Sequence, residues 1–288
     1  PLMVLDESHN AKTELWVKTS AMLKPSFVIE FTATPIDSNV MFNAKAYELK
    51  SAQMVKIPIN LENHQQWQEA ITVAVEKQRE LEKLCRKEEK ETGEFINPIV
   101  LIQAEQIKES PDKVHAQRII KFLTEELKIQ REEIALKTGD DDEVGDTRDL
   151  FLKKNKIKYI ITRDAIKEGW DCSFAYVLAS VSNIGTRLAV EQLMGRILRL
   201  PHAKNKKNTE LNESYVITSS KRFDDAAASV IKGLEDNGYS KDDFRIKGQA
   251  GGRPPVMAKR QATKEAIKIP LVCIKDNSGD VHELDFWQ

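Results

Sequence analysis

Two guanidiniums and a glutamine recur at helical spacing within residues 185–201, the run GTRLAVEQLMGRILRLP. On a helix, Gln192, Arg196 and Arg199 stand at i, i+4 and i+7 on one polar stripe. Leu193, Ile197 and Leu200 repeat the spacing on an apolar stripe that can pack on a core. Gly195 falls between them, although glycine inside a helix costs roughly 1 kcal/mol against alanine, so a close approach to the backbone is expected there. Two fixed guanidiniums at such a surface suit the charge of a transferring phosphoryl group. An ordinary amphipathic helix with surface arginines accounts for the same residues.

Three other blocks carry related chemistry. Val4-Leu5-Asp6-Glu7-Ser8-His9 sets two carboxylates and a histidine after an apolar strand, and Phe31-Thr32-Ala33-Thr34-Pro35 follows a second strand. Thr162-Arg163-Asp164-Ala165-Ile166-Lys167-Glu168-Gly169-Trp170-Asp171 follows a third. Asp6 is suited to hold Mg²⁺ through water, and Glu7 to orient or deprotonate an attacking water. The same pair also reads as a helix start favoured by the dipole, and His9 as a cap or core histidine. Thr162, ending a strand, could give its hydroxyl to a nucleic-acid phosphate. Trp170 suits either stacking on a base or burial between lobes.

The elements that must position these residues alternate. Residues 2–5 and 27–31 are short apolar runs separated by a helix-length segment, the end of a parallel α/β unit. Residues 47–61 read as one or two strands, and residues 67–91 as a long helix, dense in charge, that Thr92-Gly93 ends. Strands at 99–103, 134–136, 158–162, 176–181 and 214–218 then alternate with helices at 112–127, 147–154 and the arginine run, which implies a second parallel sheet. The acidic run Asp140-Asp141-Asp142-Glu143 reads as an exposed loop without Ca²⁺ or Mg²⁺ ligand spacing. A surface helix is expected at 223–234, then a basic connector at 245–268 that is either a solvated linker or a phosphate contact. Residues 267–274 and 281–286, joined by a turn at Asn277-Ser278-Gly279, read as a hairpin opening a further domain.

Composition narrows the class. The 288 residues carry a formal net charge of −1, so any nucleic-acid contact must come from a local patch, with Arg253, Lys259 and Arg260 as candidates beside Thr162. Cys85, Cys172 and Cys273 have no metal-ligand spacing, which fits a reducing, cytoplasmic setting. No signal peptide or apolar run of transmembrane length is present, so no membrane role is expected.

In order and spacing the four blocks resemble motifs II, III, V and VI of superfamily 2 helicases and translocases. The runs KEGWDCSFAYVLAS and VEQLMGRILRLP are more specific and resemble the restriction (R) subunit of type III restriction enzymes. The resemblance implies an α/β fold: a RecA-like parallel-sheet lobe at 96–220, preceded at 1–46 by the truncated end of a first RecA-like lobe. Residues 47–95 would connect them, and 221–288 would lead to a further domain. The chain would be a fragment beginning at motif II, since no G-x-x-x-x-G-K-[ST] phosphate loop occurs in it, and by itself it would hydrolyse ATP at background rate.

The resemblance also implies ATP and Mg²⁺ as cofactors, double-stranded DNA as track and a modification (methyltransferase) subunit as partner. Asp6 would serve the metal, Glu7, Arg196 and Arg199 catalysis, and Gly169, Asp171 and Gln192 the nucleotide. His9 would communicate with Thr32 and Thr34. Ser8 departs from the family's usual Ala or Pro, and no nuclease constellation follows Ser220. Two other readings remain: a superfamily 2 DNA or RNA helicase outside restriction, and a non-catalytic lobe that binds nucleic acid or a partner.

Overall fold

A computed structural model describes residues 2–6, 14–32, 39–42, 44, 46–105, 115–138, 141–163, 172–181, 197–219, 239–240, 243–247, 273–275 and 281–283. The chain divides into two compact units, Pro1–Gly248 and Gln249–Gln288.

In the first unit, β1 (Leu2–Asp6) and β2 (Phe27–Phe31) pair in parallel across α1 (Glu14–Leu23), with Asp6 opposite Phe31. Next comes α2 (Ala46–Ser51), where the sequence suggested strand; its Ala, Leu, Glu and Lys are helix formers, with Glu48 early and Lys50 late along the dipole. The chain then supplies β3 (Ile59–His64), α3 (Trp67–Thr92), β4 (Ile99–Gln103), α4 (Ala116–Lys121), β5 (Ile134–Leu136), β6 (Tyr159–Thr162), β7 (Ala175–Ser180), β8 (Ser214–Ser219) and β9 (Phe244–Lys247).

The strands β3 to β9 build one seven-stranded sheet in the order β5-β6-β4-β7-β8-β3-β9, and every pairing is parallel. The all-parallel α/β architecture read from the sequence is therefore present. Strands β4 to β7 are buried along their whole length, as near-continuous runs such as IVLI and YII must be when both faces are covered. The sheet also takes β3 from the segment read as a connector and Phe244–Lys247 from beyond residue 220, so it draws on more chain than 96–220.

Helix α3 lies against β3, β4, β7 and β8. Its buried residues Ala70, Ile71, Ala74, Val75, Gln78, Leu81, Cys85 and Glu88 form one stripe of helical period, and its other face carries the charges. The helix ends where expected: Gly93 adopts φ +77 and returns its N–H to Glu89 O. Helix α4 passes into a π turn at Phe122–Glu126, where Phe122 meets Trp67 edge-on at 5.1 Å. The expected helix at 147–154 is instead a 3₁₀ segment, Thr147–Phe151, capped by Asp146.

The end of the arginine run departs from expectation. Ile197 is helical, Leu198 turns, and Arg199 pairs with Val55 in an antiparallel bridge. Two causes end the helix there. Pro201 disfavours helical backbone at Leu200, which is extended at φ −77 and ψ 128. The backbone of residues 198–200 is also claimed by residues 54–56, with Lys56 N donating to Leu198 O and Leu200 N to Met54 O. Arg199 therefore stands in a bridge rather than on a helix.

In the second unit, β10 (Cys273–Lys275) and β11 (Val281–Glu283) form the expected antiparallel hairpin, with Ile274 opposite His282.

Candidate functional site

Each apolar strand in the middle of the sheet ends on a polar residue, and the parallel register aligns those ends. Thr162 of β6 stands beside Gln103 of β4, Gln103 beside Ser180 of β7, Ser180 beside Thr218 of β8, and Thr218 beside Asn63 of β3. A polar row thus crosses five neighbouring strands at their carboxyl ends, the edge where open α/β sheets take ligands. Its members are fixed to one another: Ser180 Oγ donates to Gln103 Oε1 at 3.0 Å, and Thr218 Oγ1 to Asn63 Oδ1 at 2.9 Å.

Thr162 lies in this row but is only 2% exposed. Arg163, the next residue, is half-buried and donates from Nη2 to Thr138 Oγ1 at 2.9 Å. Thr138 is itself set by a tight turn, its N–H donating to Asp141 O at 2.7 Å. The more accessible donor at the end of β6 is therefore Arg163 rather than the threonine hydroxyl. The neighbouring acidic run is occupied by cations of its own chain, Asp142 by Lys137 at 2.6 Å and Glu143 by Arg131 at 2.7 Å. Among the described residues no group of carboxylates, histidines or cysteines is arranged to hold a metal.

On the smaller sheet, Asp6 ends β1 and is exposed, and Thr32 directly follows β2. The parallel register brings the acidic block and the threonine block to the same end of one strand pair. Arg199 is exposed in its bridge to Val55. Glu7, His9, Thr34, Gly169, Asp171, Gln192 and Arg196 lie outside the described residues, as do Arg253, Lys259, Arg260 and residues 223–234.

Sequence reasoning passed over Lys56. It is wholly buried, and its ammonium donates to Ser173 O at 2.9 Å and Ala175 O at 2.6 Å, with the Tyr176 ring centroid 4.0 Å away. Burial disfavours the charged form and pulls its pKa from the usual 10.5 to about 7, while Cys172 and Cys85 act in the opposite direction. A lone lysine inside the apolar run MVKIPI was the available signal.

The seven-stranded parallel sheet with helix α3 packed on it is an α/β arrangement of the RecA-like kind. No protein-family model matches the sequence, and no curated protein matches it. Among solved structures the chain is similar to a fragment of an HsdR subunit of a type I restriction enzyme from Vibrio vulnificus YJ016. The TM-score is 0.51 at 13% identity, over 85% of this chain and 48% of that one. The chain thus spans about half the length of that structure. Lower scores are found for the ATP-dependent type ISP restriction-modification enzyme LlaBIII bound to DNA (0.47, 12% identity, 85% and 21% covered). They are lower also for domain 2 of the DEAD-box helicase Mss116p bound to an RNA duplex (0.41, 15% identity, 68% and 66% covered). At these identities the likeness is one of fold.

Proposed function

We propose that this chain is the motor region of an ATP-dependent superfamily 2 translocase acting on double-stranded DNA, of the kind carried by type III restriction (R) subunits. The observation that supports the reading is the all-parallel sheet with a polar row along its carboxyl edge, where Thr162 ends β6, together with a second parallel strand pair that brings Asp6 and Thr32 to one end. Its fold likeness to an HsdR fragment agrees with a restriction setting. ATP is the substrate, and a methyltransferase subunit is the expected partner in the cytoplasm.

Asp6, an exposed carboxylate at the carboxyl end of a parallel strand, is chemically suited to a hydrated Mg²⁺. That ion would neutralise charge on the phosphates when bound. Glu7 would orient the attacking water, and Arg196 and Arg199 would meet the developing phosphoryl charge. Thr32 and Thr34, with His9, would link these events to the track. The glycine-rich phosphate cradle that such a reaction needs is not among these residues, so the test belongs to the whole encoded protein.

In that protein, duplex DNA is expected to stimulate ATP hydrolysis, and Glu7→Gln or Arg196→Ala to reduce kcat by 10³-fold or more, roughly the worth of an arginine finger. Steady-state phosphate release with duplex DNA, single-stranded DNA and RNA checks this. Stimulation by RNA alone would move the protein to an RNA helicase, and wild-type turnover matched by both variants would remove these residues from the chemistry.

A further inference from the structure

Lys56 joins three separate parts of the sheet. Its N–H donates to Leu198 O at 2.5 Å, its carbonyl accepts from Ser214 Oγ at 3.1 Å, and its ammonium holds Ser173 O and Ala175 O. Ser214 Oγ also lies 3.3 Å from Ile197 O at the start of β8. Residues 172–175 directly follow Asp171, and residues 197–200 directly follow Arg196. One buried side chain and its own backbone therefore bridge the segments that leave two of the four sequence blocks.

A lysine is a costly way to fill this space. A buried ionisable group loses its hydration, and a well-packed apolar side chain of similar volume is often neutral or stabilising in its place. What an apolar residue cannot do is hold two carbonyl oxygens at fixed positions. We propose that Lys56 is a positioning residue that clamps the segment after Asp171 to the segment after Arg196, so that the groups in both blocks keep one mutual placement. Its consequence for turnover rests on the reading of those blocks as nucleotide-facing.

The clamp is built to respond to pH. The titratable groups facing Lys56 are Cys172 ahead of β7, Cys85 of α3 and Tyr176 of β7. Burial pushes Cys85 up to about 12 and Tyr176 well above its ordinary value, so neither competes with Lys56 for a proton near neutrality. Glu82, Glu88 and Lys206 act on this cluster through Cys85. Below about 7 the ammonium is retained and both carbonyls receive charge-assisted bonds; above it the neutral amine donates more weakly.

The test uses the whole protein and two readouts. Hydrogen exchange followed by mass spectrometry compares wild type with Lys56→Met, which keeps the length and removes the donors. Amides in peptides covering 172–175 and 197–200 are expected to exchange at least tenfold faster in the variant, with β5 and β6 unchanged. If Lys56→Met does not fold, Ser214→Ala removes one tie to the Lys56 carbonyl, and about threefold faster exchange at 197–200 is expected. The wild-type kcat should fall above pH ~7, and that inflection should vanish in Lys56→Met with KM little changed. Unaltered exchange in both segments would overturn the clamp whatever the turnover. Loosened segments in a protein whose wild type shows no ATP turnover would uphold the clamp and reject the functional reading instead.

Discussion

Three carboxylates at and just past the end of α3 hold the loop at residues 204–208. Glu88, 1% exposed, accepts from Lys207 N at 2.8 Å, Asn208 N at 3.2 Å and Asn208 Nδ2 at 2.7 Å. Glu91 meets Lys207, and Glu94 takes both Lys204 at 2.6 Å and the buried Lys206 at 2.8 Å. Burial alone would raise Glu88, but the bonds from Lys207 and Asn208 outweigh it and the net shift is downward. Hydrogen bonds from Lys204 and Lys206 hold Glu94 at about 2. Both are held below the ordinary carboxylate value, so both contribute stability above ~4.5 that is lost on acidification, for Glu94 as pH falls toward about 2. Urea midpoints should drop across that window, and Glu94→Gln should flatten the drop. Glu88→Ala strands buried backbone donors and should cost about 2–3 kcal/mol by urea titration at pH 7. None of this was legible in advance, because a Glu on a charged helix looks the same whether it faces water or a loop more than a hundred residues away.

At the scale of elements, apolar run length and punctuation carried most of the information. The runs in β4, β6 and β7 declare strands buried on both faces, and Leu101 at the middle of β4 is wholly buried. Leu101→Ala should destabilise by roughly 2–5 kcal/mol, read as a lower urea midpoint with unchanged slope. The stop at Gly93 was equally legible. An added Cβ there would meet nothing within 4 Å, so Gly93→Ala should cost only the left-handed backbone, about 1 kcal/mol, read as a small fall in thermal midpoint. Where pattern failed, a distant partner decided. Periodicity carried the arginine run through Leu200, yet residues 54–56 take its backbone into a bridge. Likewise, residues 47–61 showed no strong period, and the insertion of β3 between β8 and β9 depends on tertiary pairing.

At the scale of the molecule, fold class and the chemical edge of the sheet follow from the same alternation, since strands that end in Gln, Thr or Ser align their polar ends once the sheet is parallel. The order of the strands was not legible, because nothing local says that β3 and β9 join from outside the alternating stretch. A chain with net charge −1 has no global field to draw a polyanion, so any binding would come from a local patch. Thr162 is buried there, and on the proposed reading Arg163 beside it, which donates to Thr138, would meet a phosphate. Duplex DNA should therefore bind weakly and lose affinity steeply with salt, because each neutralised phosphate releases counterion. Arg163→Ala should weaken binding to all sequences alike and lower the slope of log K against log salt by about one. Fluorescence anisotropy with a labelled duplex across a salt series measures both quantities. An unchanged slope in Arg163→Ala would place the phosphate contact on other residues, and no binding at low salt would leave the polar edge without a track.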